Sequence, residues 1–572
     1  MKLIKTRCRL AEKQKELDQK ESFIHPSSLV SMVKTTSQGS QFIYSLFPPR
    51  KQWVSLGMKD RYLMDSSARN EQRLKYTYLK AKAQGCTEQW YVQLCDYADR
   101  IVHYALSKHR NVEVPTVVAL LKEIDSKEKK VKYRPICQFP VFDKIVFSLL
   151  NNYLTILFDD YFLDCSFAFR KVNGIRSKLQ HLDAVRKVRD YRLGHIGQSL
   201  FVAECDMKKF YDTISHQVIK NRFLKLLVQA KNDGKICSAD MKLVKRCFFA
   251  YVDCFDFLNH VWTKNRLPRT HSFWRDLNKA PLDYIPIIPF LEKEKDYLFD
   301  WRQARTKKGR VGVPQGGALS GLIANIVMHD VDLIVTQTIG NNDLLYCRFC
   351  DDMVLMGVNQ AEVFSCYRLY EQAIRKARLV AHENKPIARR PMREFWEGKS
   401  RGPYEWNEKG ELIFPWITFV GFDVNWKGNL RIRKKSLHKQ IEKQTEIVRS
   451  FLLPFNANLQ PRYSRRTMFE SLASSLIATG VGRVTFDNYR HNSNNHSWMS
   501  AFSILDKNPW SENQMKGLDR HRETMLARAK RMLQKICCPE RVKNVSAKKS
   551  HREMFVYKGC PFSYYGQCFH YR

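Results

Sequence analysis

The most informative hydrophobic pattern lies at residues 344–357, where two short apolar runs flank a pair of acids, Asp351 and Asp352. Apolar runs of this length on either side of a tight polar pair predict a β-hairpin. Two neighbouring carboxylates are costly to bury unless a cation lies between them. On this stretch alone an exposed Asp-Asp turn is an equally good interpretation, so the rest of the chain has to decide between the two.

Two other segments carry patterns that complement the hairpin. A strand-like run at residues 199–205 ends at Asp206. A glycine-rich turn at residues 311–317 leads into a segment that we expect to be a helix. Its apolar positions recur every three or four residues, as on the buried face of a helix: Leu319, Leu322, Ile323, Ile326, Val327, Val331 and Ile334.

The charge balance points to a polyanionic partner. The chain has 572 residues, with 97 Lys+Arg against 57 Asp+Glu and a formal net charge of +40. Such an excess favours nucleic acid, because neutralising phosphates releases condensed counterions. The 34 Phe, 25 Tyr and 11 Trp supply rings on which bases can stack.

Membrane and secretory signals are weak in this sequence. No run of eighteen apolar residues is present, so we expect no membrane span. The first residues lack the apolar core of a signal peptide.

The sixteen cysteines are scattered, which is typical of reduced thiols in the cytoplasm. A zinc site in the tail is conceivable, but spacings are irregular and plain thiols are favoured: Cys537, Cys538, His551, Cys560, Cys568 and His570.

Taken together, the three segments resemble the palm motifs of reverse transcriptases. Asp206 with residues 210–212 resembles the first motif. Residues 314–316, with Ser320 and Asn325, resemble the second. Residues 349–352 resemble the aromatic-x-Asp-Asp third motif. The pattern is most similar to bacterial reverse transcriptases, namely the group II intron, retron and defence-associated (abortive-infection) groups.

This resemblance implies an α+β, right-hand polymerase fold with a ferredoxin-like palm, fingers and a helical thumb. Residues 1–110 are then a mostly helical N-terminal extension, and residues 111–436 are fingers and palm. Residues 437–572 are a helical thumb and C-terminal extension. An insertion at about residues 250–308 is aromatic and basic, which fits an RNA platform, a protein interface or plain packing.

The resemblance also implies a two-metal centre for phosphoryl transfer. Two Mg²⁺ ions, with Mn²⁺ as a substitute, are held about 3.5–4 Å apart by carboxylates from separate elements in such enzymes. The implied ligands are Asp206, Asp351, Asp352 and the main-chain carbonyl of Met207. Asp352 is usually the weaker member, tuning the site more than bridging the metals.

Substrate-binding residues follow from the same resemblance. Tyr211 occupies the steric-gate position, where a bulky ring collides with a ribose 2′-hydroxyl, so dNTPs are the expected substrates. Gln315 and Gly316 are expected to lie against the nucleotide. Lys132 and Arg134 alternate on one side of a predicted strand, so both can face the triphosphate. For Lys132 a solvated basic strand is an equally good interpretation.

The segment from 379 to 386 resembles the fourth palm element, which makes Lys385 a candidate general acid, with an exposed lysine as the alternative. Two positions depart from the family pattern. Phe349 replaces the commoner tyrosine, and Gly321 stands where many relatives have proline after Ser320. Neither departure removes a metal ligand.

The leading hypothesis is therefore an RNA-directed DNA polymerase of the defence-associated kind, acting against phage and using a dedicated noncoding RNA or atypical priming or templating. A group II intron- or retron-type enzyme is the alternative. A binding protein, an inactive polymerase fold used as an RNA scaffold, is the alternative from another class. Expected partners are RNA, the DNA product and dNTPs, with a homo-oligomer or a partner polymerase also compatible.

Overall fold

The computed structural model describes most of the chain. The described residues are 46–57, 66–107, 112–125, 130–170, 181–262, 309–340, 342–384, 395–396, 398–407, 416–456, 464–481, 498–535 and 561–562. Within them, residues 66–68, 118–125, 130–133, 262, 454–456 and 499–500 are described by their backbone alone.

The described elements mix helices and strands, as the α+β prediction requires. The helices are α1 Ser66–Ala83, α2 Gln89–Leu106, α3 Val141–Phe158, α4 His181–Gly194, α5 Phe210–Thr213, α6 His216–Asn232, α7 Ser238–Asp253, α8 Ser320–Ile339, α9 Gln360–Lys376, α10 Lys434–Asn456, α11 Arg465–Val481, α12 Trp498–Ala501 and α13 Pro509–Gln534. The strands are β1 Thr116–Asp125, β2 Lys130–Gln138, β3 Leu200–Cys205, β4 Leu344–Phe349, β5 Asp352–Gly357, β6 Arg401–Trp406, β7 Trp416–Phe419, β8 Phe422–Asn425 and β9 Leu430–Ile432.

A four-stranded sheet in the order β4-β5-β3-β6 forms the centre of the first unit of the chain. The β4–β5 pair is the hairpin that the sequence predicts, with Phe349 opposite Asp352. Strand β3 runs antiparallel to β5, with Cys205 opposite Met353. This register brings the end of β3 next to the turn of the hairpin.

Helices cover the sheet and bury its apolar residues. α9 packs on β3 and β5, α8 packs on α9 and α6, and α7 packs on α6 and α3. α8 buries nearly all of its first three turns, as its apolar spacing predicts. The resulting core fixes the strand ends that carry the acids.

A separate antiparallel hairpin, β1–β2, contains a bulge between Leu121 and Glu123. Its second strand leads towards the glycine-rich turn, because the Cys137 amide donates to the Gln315 carbonyl over 2.8 Å. The strand predicted to hold Lys132 and Arg134 is therefore joined to the predicted nucleotide turn by a main-chain bond.

The chain divides into two compact units. The first contains residues 1–57, 69–180 and 200–405, and the second contains residues 58–68, 181–199 and 406–572. In the second unit, β7, β8 and β9 form an antiparallel sheet. Its helices α10, α11 and α13 share an apolar core around Leu472 and Leu476. The predicted thumb boundary at residue 437 falls inside α10.

Two helical spans, Val141–Tyr161 and Ser320–Ile339, are long and apolar enough to cross a membrane by length and composition alone. More than half of each span is buried inside the fold. A core helix of a globular domain passes the same test, so these spans are weak evidence for a membrane.

Only the beginning of the predicted insertion at about residues 250–308 is described. Phe255 and Phe257 belong to the main core, being 2% and 1% exposed, so these two rings have a packing role. Residues 263–308 lie outside the described part of the chain, as do the tail cysteines and histidines named above.

Candidate active site

The site forms where β3 ends beside the turn of the β4–β5 hairpin. Asp206 follows the buried end of β3, and Asp351 lies in the turn. The turn needs Cys350 in the left-handed region, with φ of 64°, a conformation that few residues other than glycine adopt. Two acids from segments far apart in sequence are thus brought to one place.

The two carboxylates repel each other. The pKa of Asp351 is raised, first by burial and then by the negative charge of Asp206. Lys399 acts in the opposite direction on the same pKa but does not cancel the shift. A carboxylate pair in this state favours a cation between its members.

A lysine and a histidine lie close to the same carboxylate oxygen of Asp206, Oδ2. The Lys399 ammonium is 3.1 Å from Asp206 Oδ2, and His382 Nε2 is 3.7 Å from the same oxygen. Burial and then the Lys399 charge lower the pKa of His382 to about 4, although Asp206 acts to raise it. His382 is consequently neutral at pH 7, and Lys399 is the cation of the group.

The main chain at Asp206 is held by hydrogen bonds on both sides. The His382 amide donates to the Asp206 carbonyl over 2.9 Å. The Ser400 hydroxyl accepts from the Asp206 amide over 3.1 Å. Met207 continues the segment and forms an antiparallel bridge with Ala381. The strand end that carries Asp206 is therefore fixed by residues 381–382 and by the residue before β6.

Asp352 faces a different set of charges. It interacts electrostatically with Arg401, which donates to Glu204. Burial acts to lower the pKa of Arg401, but Glu204 and, more weakly, Asp352 raise it, and the net shift is upward. The structure thus brings Asp206 and Asp351 together and places Asp352 within reach of Arg401.

The acids fit a hard divalent cation. Mg²⁺ prefers carboxylate, carbonyl and water oxygens and keeps several waters when bound. The ammonium of Lys399 at Asp206 Oδ2 shows that this position attracts positive charge. Within the described residues, no group of three His, Cys, Asp or Glu side chains converges on one point. Asp206 and Asp351 are therefore the pair that would hold the metal, with the Met207 carbonyl as the predicted addition.

The predicted sugar gate lies beside the turn that carries Asp351. The Tyr211 hydroxyl is 3.0 Å from Cys350 Sγ, so the ring spans from α5 to the turn. Burial is the main reason that the pKa of Tyr211 is raised, and its hydroxyl stays neutral. The Tyr211 carbonyl also accepts from the Val313 amide over 2.7 Å, which joins the gate to the glycine-rich turn.

Gln315 is oriented by a neighbour of the gate. Its side-chain amide donates to Asp212 Oδ1 over 2.6 Å. Gly316 has φ of 87°, and a Cβ there would be 3.2 Å from the Ile136 side chain. Glycine at this position allows the turn to approach β2 closely. Arg134 is exposed on β2, where it is available to a ligand.

Two of the predicted residues are not placed by the structure. Lys385 lies outside the described residues, and Lys132 is described by its backbone alone. Another arginine of the same unit, Arg170, is buried and fully engaged. It pairs with the Asp159 carboxylate over 3.0 Å and donates to four main-chain carbonyls. Its role here is to hold its own segment.

A buried ion pair behind the turn was not evident from the sequence. The Arg348 Nε donates to Asp332 Oδ1 over 2.8 Å, and neither side chain is exposed by more than 1%. Arg348 also donates to the Cys350 carbonyl over 2.9 Å. The Tyr346 hydroxyl donates to the same Asp332 oxygen. This network holds the strained residue that precedes Asp351.

Comparison with known families assigns this region. Residues 227–393 match the family described as reverse transcriptase (RNA-dependent DNA polymerase). The match contains the Gln315 turn and both hairpin acids, and it begins after Asp206. The chain carries a reverse transcriptase domain. The predictions of a right-hand polymerase fold and of an RNA-directed DNA polymerase, a nucleotidyltransferase, are confirmed.

Similar solved structures include two yeast telomerases. The telomerase from Candida albicans in complex with the TWJ fragment of telomeric RNA has 11% identity and a TM-score of 0.30, covering 87% of this chain and 77% of that chain. The apo telomerase from Candida tropicalis has 13% identity and a TM-score of 0.32, covering 86% and 80%. No curated protein matches the chain in sequence.

Proposed function

We propose that the reverse transcriptase domain extends a DNA strand from dNTPs on an RNA template, with Asp206 and Asp351 at the reacting centre. The observation that carries this proposal is the mutual repulsion of two carboxylates from separate strand ends. Structural acids are normally paired with a fixed cation. A repelling pair next to a nucleotide-binding turn is instead suited to a bound divalent metal.

The residues of the chain divide the work of phosphoryl transfer. A bound Mg²⁺ pair would supply charge neutralisation and a more acidic primer hydroxyl. Asp206 and Asp351 would hold it, and the hydrogen bonds to the Asp206 main chain keep its carboxylate in place. Gln315 and Gly316 position the nucleotide, and exposed Arg134 offers a guanidinium to its phosphates. Such enzymes depend mainly on positioning and electrostatics.

Primer extension tests the proposal directly. Purified protein is given Mg²⁺, labelled dNTPs and a DNA primer on an RNA template, and product length is measured. Asp351→Asn is expected to abolish extension. Asp343→Asn is the matched control, because Asp343 is an exposed acid at the opposite end of β4. Extension that survives Asp351→Asn, or wild-type protein that never extends any primer, would exclude this site.

Sugar selection follows from Tyr211. Replacing Tyr211 by Ala removes the ring and is expected to raise ribonucleotide incorporation by about 10–200-fold, the usual discrimination of a steric pocket. Tyr211→Phe keeps the ring and loses only the contact with Cys350, so it should keep its preference for dNTPs. Single-nucleotide insertion kinetics with dNTP and rNTP pairs measure both variants. Equal discrimination in wild type and Tyr211→Ala would contradict the gate.

For the biological role we propose antiphage defence with a dedicated noncoding RNA. The resemblance of the three motifs to defence-associated enzymes supports this role, and the charge of +40 supports a large RNA partner. Cells expressing the chain with its native flanking sequence are challenged with phage, and RNA bound to the purified protein is sequenced. Protection should be lost in Asp351→Asn. Protection retained in that variant would favour the RNA-scaffold alternative.

We further propose that the enzyme acts in the cytoplasm. The cysteines of the described residues are free thiols and most of them are buried, which suits a reducing compartment. Cell fractionation tests this, and recovery of the protein in a membrane fraction would contradict it.

A further inference from the structure

Phe169 is an aromatic residue in an unusual backbone conformation. Its φ is 58°, in the left-handed region, where a residue with a Cβ is strained. Its side chain is 53% exposed, although most large apolar side chains of this unit are buried. Strain of this kind persists where the surroundings impose it, and it is concentrated at functional sites.

The ring lies over the first turn of α8. A Cβ at Gly321 would be 2.5 Å from Cγ and Cδ1 of the Phe169 ring, so only glycine allows this contact. Gly321 is the position where many relatives have proline, and the ring gives that departure a physical reason. Gly321 comes shortly after Gln315 and Gly316 in the chain, so the Phe169 ring lies close to the predicted nucleotide turn.

The residues before Phe169 are rigidly held. The Phe167 amide donates to the Arg348 carbonyl over 3.0 Å, next to the catalytic turn. The Ala168 carbonyl accepts from the Asn325 side chain over 2.8 Å. Both residues are buried, at 1% and 0% exposure. The exposed ring is therefore presented from a fixed segment and does not belong to a loose loop.

The residue after Phe169 is equally fixed, since Arg170 is buried and its guanidinium is fully engaged as described above. A ring fixed from both sides loses little conformational freedom when a ligand stacks on it. Its exposed face is flat, apolar and sequence-independent, which suits any nucleobase.

We propose that the Phe169 ring is the platform on which an unpaired template base stacks beside the reacting centre. This proposal rests on the proposed polymerase function. Incoming nucleotides and primer bases are paired at the growing end, and the template alone supplies unpaired bases there. Stacking on a protein ring is insensitive to the sugar, so RNA and DNA templates are both expected to use it.

Binding experiments without catalysis test the platform. Primer–templates carry a 5′ template overhang with 2-aminopurine at the first unpaired position, and binding is measured by fluorescence in an Asp351→Asn background. Phe169→Ala should weaken overhang binding by about 5–150-fold, from the 1–3 kcal/mol typical of one stacked base. Binding of a blunt duplex should not change. Phe169→Trp should retain overhang binding.

Two further variants separate stacking from folding. Phe364→Ala is the matched control, because Phe364 is also exposed but lies on α9; it should leave overhang binding unchanged. Phe169→Gly relieves the left-handed strain, so its thermal stability should stay within a few degrees of wild type while overhang binding is lost. A ring needed only for folding would lower stability instead.

The outcomes distinguish this proposal from the function on which it rests. Equal overhang affinity in wild type and Phe169→Ala would overturn the platform even if the enzyme extends primers. Equal losses on overhang and blunt duplexes would also overturn it. A Phe169-dependent 2-aminopurine signal in a protein that never extends a primer would support the platform and reject the polymerase. RNA and DNA overhangs run in parallel should show the same loss.

Discussion

Two acidic sites share the β4–β5 hairpin and are built in opposite ways. Asp332 is 1% exposed and accepts hydrogen bonds from Arg348 and Tyr346, which are themselves buried. Asp206 is 29% exposed, and the lysine beside it, Lys399, is 58% exposed. One acid has fixed partners in a dry interior, and the other has a partner that water can replace.

The two sites therefore have different roles: the buried pair supports the backbone, and the open pair is available for chemistry. The buried pair uses its charge to fix the backbone, since Arg348 also holds the Cys350 carbonyl. The open pair keeps its charge available, because Asp206 and Asp351 repel each other. An exchangeable cation can bind only where no permanent one is built in. Aspartate thus serves opposite purposes at the two sites.

The largest expected effect separates activity from stability at the open site. Asp351→Asn removes a ligand worth several kcal/mol of transition-state stabilisation, which corresponds to at least about a thousandfold loss of primer extension. Because the carboxylate is disfavoured by burial and by Asp206, its removal should leave the free energy of unfolding unchanged or slightly higher. Urea unfolding measures this second part. A clear loss of stability would mean that the open acid also supports the fold.

The buried site should respond in the opposite way. Asp332→Ala leaves the Arg348 guanidinium buried without its carboxylate, which should lower the free energy of unfolding by about 3–5 kcal/mol. The control is the double replacement Asp332→Leu with Arg348→Met, in which neither charge remains and much of the stability should return. If the single change proves neutral in urea unfolding, the pair is not the support described here.

The buried histidine His216 tests whether burial keeps a side chain near the site neutral. His216 Nε2 donates to the Gly312 carbonyl over 2.8 Å, and burial lowers the pKa of His216 to about 4. The unfolded chain, with a pKa near 6.5, takes up the proton first on acidification. The contribution of neutral His216 to the free energy of unfolding is therefore complete above pH 6.5. It falls by up to about 3 kcal/mol as the pH is lowered towards 4.

His216→Gln removes the titration while keeping a hydrogen-bond donor. Urea unfolding at pH 7 and pH 5 should show a smaller loss on acidification in the variant than in wild type. Burial raises the pKa of Asp143 and Asp256 to about 6, so these acids change stability in the opposite direction in both proteins. Identical pH slopes for the two proteins would rule out the effect of His216.

The smallest expected effect concerns the replaceable partner itself. Lys399→Ala removes the ammonium from Asp206, so metal no longer has to displace it. An exposed pair contributes about 0.2–1 kcal/mol, so Mn²⁺ affinity should rise by roughly up to fivefold. The readout is Mn²⁺ binding by electron paramagnetic resonance. Lys225→Ala, which removes an exposed lysine paired with Asp330, is the control. Weaker Mn²⁺ binding in Lys399→Ala would contradict this competition.

The open site was largely predictable from the sequence and the buried site was not. Asp351 and Asp206 end short apolar runs, so local periodicity places them at strand ends. Arg348 lies inside such a run, and nothing local identifies Asp332, sixteen positions earlier on a helix, as its partner. Lys399 is one of 97 basic residues, and only the pairing of β6 with β3 distinguishes it.

Exposure and strain were equally invisible in the sequence. An aromatic residue in an apolar segment is usually interpreted as core, and Phe169 follows that pattern until its backbone conformation is known. The reverse holds for Phe255 and Phe257, whose aromatic and basic surroundings are compatible with an RNA platform but which are buried. Which side of a packed layer a ring occupies depends on tertiary contacts that periodicity does not encode.

The hydrogen bond from the Cys137 amide to the Gln315 carbonyl joins the β1–β2 hairpin to the predicted nucleotide turn. In the proposed function this bond couples Arg134, which offers its guanidinium to the phosphates, to Gln315, which positions the nucleotide. Loosening the hairpin would weaken the hold on adenine, guanine, cytosine and thymine nucleotides alike. The expected kinetic result is a similar rise in KM for each of the four dNTPs, with no change in copying accuracy.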